Sequence, residues 1–286
     1  MSPRRRLWLA GELVCAGSLA RQLTAPIARR LALPALRRLA ARFTRAVAAP
    51  LALLPSTPGV RAADSTDPAP GRPFAAVVPG RRLTFPADHG AHPDFRTEWW
   101  YITGWADVDG VETGIQITFF RSGTGHSGAN PSRFAPSQLL LAHAALARAT
   151  DGRLRHDQRS ARLGFADTRM SDSDTALSLR GWQLTRQADD RYIARIAARD
   201  FELDLSFQAR AAPMPQGELG FSRKGPGAAQ ASYYYSRPQL EVGGALVLGG
   251  RRLPVRSGRA WLDHEWSSEV LDAQAVGWDW AGLNLD

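Results

Sequence analysis

The chain has 286 residues and a formal charge of +9, but residues 1–62 hold eleven arginines against one acid, Glu12, while the rest holds 25 basic and 26 acidic side chains. The high pI therefore belongs to the N-terminal stretch, and nucleic-acid binding by the folded part loses its electrostatic footing. The single cysteine, Cys15, excludes a disulfide framework or a thiolate metal site beyond that stretch, and a chain of this size buries a sufficient core without either.

Residues 1–62 read as a signal-like basic leader. Arg4-Arg5-Arg6 precedes a short apolar run that Glu12 interrupts; a second basic stretch ends Arg37-Arg38 to Arg45, followed by apolar Ala46 to Leu54 and a small-residue cleavage pattern at Val60-Arg61-Ala62. Export to the periplasm or cell envelope is the expectation, with membrane contact only through this leader, where Arg21 to Ala48 has the composition of a basic amphipathic helix. Its length fits a start site assigned too far upstream. No later run reaches about 18 apolar residues. Residues 63–80 read as a linker, rich in Pro, Gly and Asp from Asp64 to Pro73.

From residue 81 a period of two dominates, cleanest in Phe201-Glu-Leu-Asp-Leu-Ser-Phe-Gln208, the signature of a half-buried antiparallel strand. Similar runs occur at Trp99–Thr103, Thr113–Arg121, Leu139–Ala147, Ala176–Thr185, Tyr192–Ala197, Ser232–Val242, Ala245–Leu248, Arg259–Trp266 and Val276–Leu285. Asp109-Gly110, Asp151-Gly152 and Gly243-Gly244 read as turns between them. No capped helical period intervenes, so the prediction is an all-β barrel or sandwich. A barrel of about eight to ten strands is wide enough for one small ligand.

The chemistry-bearing stretches interleave aromatics with ionisable groups: His89 to Gly104, Ala231 to Ser236, Trp261 to Trp266 and Gly277 to Trp280. That recipe predicts an apolar cavity holding a few polar groups. Alternation sorts the side chains. Glu98, Trp100 and Ile102 share one face, opposite Trp99, Tyr101 and Thr103; Leu262, His264 and Trp266 share one face, opposite Trp261, Asp263 and Glu265. Asp279, between Gly277 and Ala281 on its face and opposite Trp278 and Trp280, has open space above it, or else faces solvent. His89, His92, Asp94, Glu98, Asp263, His264 and Glu265 are all competent metal ligands, yet neither His-x-x-His in a loop nor Asp-His-Glu on a strand is a zinc spacing; no metal is expected, and the residues read as polar anchors. Gly125-His-Ser-Gly-Ala129 lacks the second glycine of a nucleophile elbow. Ser222 to Pro226 lacks P-loop spacing and reads as a turn, with Lys224 set to cap an acid.

Asp88-His-Gly-x-His-Pro-Asp-Phe-Arg-Thr-Glu-Trp-Trp-Tyr101, Gln116 to Arg121, Ala142-His-Ala144, Phe221 to Pro226, Ser232 to Ser236 and Asp263 to Ser267, in that order, resemble the carotenoid 1,2-hydratase/AttH family. The resemblance implies two lipocalin-like β-barrels in succession: a first over residues 81–266, and a truncated second beginning at 267–286. It implies either an exported protein that binds an apolar isoprenoid or lipid, encoded beside transporter permeases and so with an ABC transporter permease as candidate partner, or a hydratase that adds water to a terminal alkene without a cofactor. A secreted hydrolase is a third reading. By match to the family's His-x-Trp motif, His264 and Trp266 join Asp279 as the catalytic candidates, with Glu98, Trp100, Tyr101, Tyr234, Trp278 and Trp280 as ligand-binding candidates. An acid for such chemistry needs an apolar wall that raises its pKa.

Overall fold

In the computed structural model, the structure describes residues 74–126, 132, 135–269, 274–275 and 280–282. The leader, most of the expected linker, Trp278 and Asp279 lie outside them. Thirteen antiparallel strands form one sheet: β1 (Thr97–Val108), β2 (Val111–Gly123), β3 (Gln138–Arg148), β4 (Leu154–Arg162), β5 (Arg169–Met170), β6 (Ala176–Leu179), β7 (Trp182–Arg186), β8 (Arg191–Ala197), β9 (Glu202–Gln208), β10 (Met214–Pro215), β11 (Phe221–Arg223), β12 (Ala231–Leu248) and β13 (Arg251–Ser267). The order is β4-β3-β2-β1-β13-β12-β9-β8-β7-β6-β5, with β10 and β11 beside β12. This is a curled, lipocalin-like half-barrel: the alternating runs call for its all-β class, and the family resemblance implies its lipocalin-like form. Its ends approach through side chains: Arg159 on β4 donates to Arg180 O and to Ala197 O, and Arg199 N donates to Asp157.

Most strands follow the period-two pattern because one face packs on the core. In β9, Leu203, Leu205 and Phe207 are buried while Glu202 and Asp204 are exposed. Three departures have local causes. β4 alternates only weakly and carries five charged or imidazole side chains among nine residues, so its sequence hid it. The expected strand Ala176–Thr185 is two, because Arg180 (φ 50°) and Gly181 (φ 85°) turn the chain. Gly243-Gly244 is not a turn: it lies within β12 at a register shift, where Gly244 has φ 106° and a Cβ would stand 2.2 Å from Asp204 O. The turn falls instead at Gly249-Gly250, both at positive φ. Residues 280–282 form no strand, in contrast to the run expected through Val276–Leu285.

Residues 74–80, the end of the expected linker, dock on the sheet. Val77 is buried, Val78 N–H donates to Tyr233 Oη, and Tyr233 O–H donates to Val78 O, while Ala75 N–H reaches Asp94 O. Behind them the segment 84–95 folds across one end of the concave face, with a single 3-10 turn at Ala87–His89. Gly90 allows this approach, since a Cβ there would lie 2.3 Å from the Asp172 backbone.

Candidate functional site

The site grows from three neighbouring strands. In register, Trp100 of β1 faces His264 of β13, which faces Tyr235 of β12; one step on, Glu98 faces Trp266, which faces Tyr233. On the other side of β1, Arg121 of β2 stands opposite Glu98. Alternation sends all these side chains to the concave face, where the segment carrying Asp88, His89 and His92 covers them.

Glu98, fully buried, is the hub. Its Oε1 accepts from His92 Nδ1 (2.7 Å) and His264 Nε2 (2.9 Å), and its Oε2 accepts from Arg121 Nε (2.8 Å) and His92 N–H (2.8 Å). Burial alone would raise its pKa, but the hydrogen bonds from His264 and His92, with the charge of His92, hold it well below the carboxylate range. Arg121 completes its own shell on Gln138 Oε1 (2.8 Å) and His92 O (2.9 Å). His92 places its other nitrogen on Asp88 Oδ1 (2.9 Å), so both ring nitrogens face carboxylates. Burial pulls its pKa down, and the two carboxylates outweigh burial and raise it.

His264 behaves oppositely. Burial lowers its pKa more than Glu98 raises it, so the ring is neutral at neutral pH. With Nε2–H committed to Glu98, Nδ1 accepts, and Tyr235 O–H (3.1 Å) donates to it. Tyr235 oxygen then accepts from His89 Nδ1–H at 2.7 Å. His89 is also neutral: burial, then the charges of Arg186 and Arg237, lower its pKa to about 3. Its carbonyl accepts from Thr175 Oγ1 (2.8 Å) and Trp100 Nε1 (3.4 Å), which fixes the loop. The result is one continuous line of hydrogen bonds, His89–Tyr235–His264–Glu98–His92–Asp88.

Aromatic rings wall this line. Trp266 stacks on His92 with centroids 3.7 Å apart and 6° between planes, and Trp100 stacks on His264 at 4.5 Å. Trp100, Tyr235, His264 and Trp266 are all 0% exposed, so no water-sized space lies against them. The apolar cavity expected from the sequence is thus filled in this state by its own aromatics. One polar atom inside is unsatisfied: Trp266 Nε1–H is buried and has no partner among the described residues.

Donor atoms of His92, Glu98 and His264 lie within 4.8 Å of one another, a set that could ligate a cation. Both nitrogens already share Glu98 Oε1, and Arg121 already balances that carboxylate from 2.8 Å. The set is closed by protons and a guanidinium, and does not call for a metal.

Of the sequence-selected residues, the structure brings together Glu98, Trp100, His264 and Trp266. It separates Tyr101 and Tyr234 from them. Both point to the convex face, where Tyr101 pairs in register with Asp263 and Tyr234 with Glu265; the two-residue period that buries Trp100 turns Tyr101 away. Trp280 is half-buried, and Trp278 and Asp279 lie outside the described residues. Asp88, His89, His92, Arg121 and Tyr235 join the site from positions not selected for it, although the density of His and acid in residues 88–98 was a visible signal. On the convex face Lys224 caps Glu265 at 2.7 Å.

A family model for AttH-like proteins matches residues 76–286. Among solved structures, that of a provisionally named AttH from Nitrosomonas europaea is similar at 50% identity and a TM-score of 0.64, covering 71% of this chain and 61% of that one. Kievitone hydratase from Nectria haematococca is 11% identical with a TM-score of 0.48, over 71% of this chain and 58% of that one. The chain therefore spans about 61% of the length of the Nitrosomonas protein. No curated protein matches it.

Proposed function

The chain belongs to the AttH-like family, and from that premise we propose that it is an exported, lipocalin-like protein that binds an apolar isoprenoid or lipid bearing one hydrogen-bond acceptor. The observation that carries this reading is the Trp266 indole: a fully buried N–H without an acceptor, at the meeting of His92, His264 and Tyr233. A buried donor left unmade costs about 1–3 kcal/mol, and a hydroxyl or carbonyl oxygen on an otherwise apolar ligand would recover it. Because the surrounding rings leave no space, entry requires the covering segment at 84–95 to part from the sheet. Delivery to an ABC transporter permease fits a carrier of this kind.

Solvent extraction of the purified protein followed by mass spectrometry tests the reading, with Trp266→Phe as control. Removing an unsatisfied donor should leave folding stability unchanged or slightly higher, yet lower the recovered apolar ligand about tenfold or more. An extract without any apolar molecule sinks the proposal, as does full retention by the variant.

A second reading, the hydratase, is favoured by the hydrogen-bonded line His89–Tyr235–His264–Glu98, which can relay a proton within the apolar wall. An acid would give its proton to the terminal alkene, water would add to the tertiary cation, and the proton released by that water would pass through the line to re-protonate the acid. Asp279 is the proposed acid. Incubation with lycopene should then yield a hydroxylated product, and activity that persists in Asp279→Asn excludes that assignment.

A further inference from the structure

At the other end of the half-barrel, three hairpin tips surround a hollow of about 460 Å³, within the size range of small-molecule sites. The tips are those of β1–β2, β3–β4 and β12–β13. The separation from the His–Glu line is large: Glu98 is the second residue of β1 and Val108 its last, ten residues or ~33 Å apart along an extended strand.

The charges around this hollow do not balance. Asp151 is held by Arg155 at 2.7 Å, and Asp109 by Arg256 at 3.1 Å. Arg148 and Arg251 remain, and neither has an acidic partner within ion-pair distance among the described residues; the field of Arg148 reaches Asp151 only as a minor influence behind Arg155. Arg148 Nε–H is moreover buried and unpartnered, an arrangement that costs free energy unless an acceptor arrives. The floor is apolar. Val111, Leu248 and Leu253 line it, and Leu253 belongs to the buried core while Leu248 packs against it.

Two guanidinium groups outside any ion pair among the described residues, above an apolar floor, match an anionic head on an apolar chain, because arginine pairs with carboxylate or phosphate oxygens through its fork of N–H donors. We propose that this hairpin-end hollow is a binding site for the anionic head of an amphiphile, held by Arg148 and Arg251 with its chain against Leu248 and Leu253. Carboxylate and phosphate heads share this chemistry, and a free inorganic anion shares only its charged half.

Isothermal titration of the full chain with decanoate, decanol and inorganic phosphate distinguishes the cases. Decanoate should bind at least tenfold more tightly than decanol and than phosphate, and should weaken as salt rises from 50 to about 500 mM, since exposed ion pairs are screened. Arg251→Gln, at an exposed position, should weaken decanoate several-fold, and Arg148→Gln/Arg251→Gln tenfold or more, with decanol unchanged. Equal affinity for decanoate and decanol overturns the proposal; so does phosphate binding as tightly as decanoate, or an arginine double variant, folded by circular dichroism, that binds decanoate normally. The site stands apart from the concave-face reading: Trp266→Phe should leave decanoate affinity unchanged, whichever way the extraction experiment falls.

Discussion

Strand β13 carries two carboxylate environments on its opposite faces, and they behave in contrary ways. On the concave side His264 and Trp266 meet Glu98, a carboxylate surrounded by Arg121 and two histidines. On the convex side Asp263 accepts from Ser236 Oγ (2.5 Å) and Trp261 Nε1 (2.7 Å), all neutral donors. Both acids are almost wholly buried, at 0% and 2% exposure. Yet Glu98 is pulled to low pKa, while burial pushes Asp263 up against its hydrogen bonds. Burial is common to both; the charge of the donors decides which form persists. The concave face thus holds a carboxylate stabilised in its charged form, and the convex face an acid whose pKa is raised by burial, beside Glu265.

The sharpest way to break this contrast is Glu98→Gln. It leaves buried Arg121 and His92 without their carboxylate, and breaking a buried pair costs about 3–5 kcal/mol; urea unfolding should show that loss, and a loss below about 1 kcal/mol would mean that the network is ornamental to stability. Next in size is acid. His89 is neutral in the fold with its pKa depressed to about 3, while the unfolded chain binds that proton near 6.5, so stability present above pH 6.5 falls as pH drops towards 3, by several kcal/mol in order of magnitude. His264 and Glu98 act in the same direction, and His92, whose pKa is raised, acts in the other: its contribution is present below about 6.5 and is lost as pH rises through its folded value. Unfolding midpoints between pH 7 and 4 should therefore fall, and His89→Gln should flatten the slope. A flat profile in the unsubstituted protein contradicts the neutral assignment. Smallest is Asp263→Asn, which preserves an acceptor for neutral donors and should cost about 1 kcal/mol or less. A cost equal to that of Glu98→Gln would erase the distinction between the faces.

Sequence reading reached the strands and their faces because the cause is local. The period of two in residues 98–102 and 261–266 separates Trp100 from Tyr101 and His264 from Asp263 before any fold is known. It did not reach the partners. Tyr235 meets His89 across 146 residues and His264 meets Glu98 across 166, distances that only the strand order closes. Grouping Tyr101 with Trp100 in one site runs against the alternation that sends them to opposite faces, and Tyr234 follows Tyr101 to the convex face by its register with Glu265. The Gly243-Gly244 pair failed for a different reason: glycine marks either a turn or a bulge, and only the approach of Asp204 O selects the bulge.

The side-chain closure between β4 and the ends of β6 to β9 is a seam. Elsewhere, separating two neighbouring strands severs a row of ladder bonds at once. Along this line the chain is held by Arg159, by Asp157 with Arg199, and by Arg155 with Asp200, contacts that lie mostly in water. Exposed pairs of this kind contribute little each. The half-barrel is therefore weakest along this margin, where parting breaks no strand-to-strand ladder.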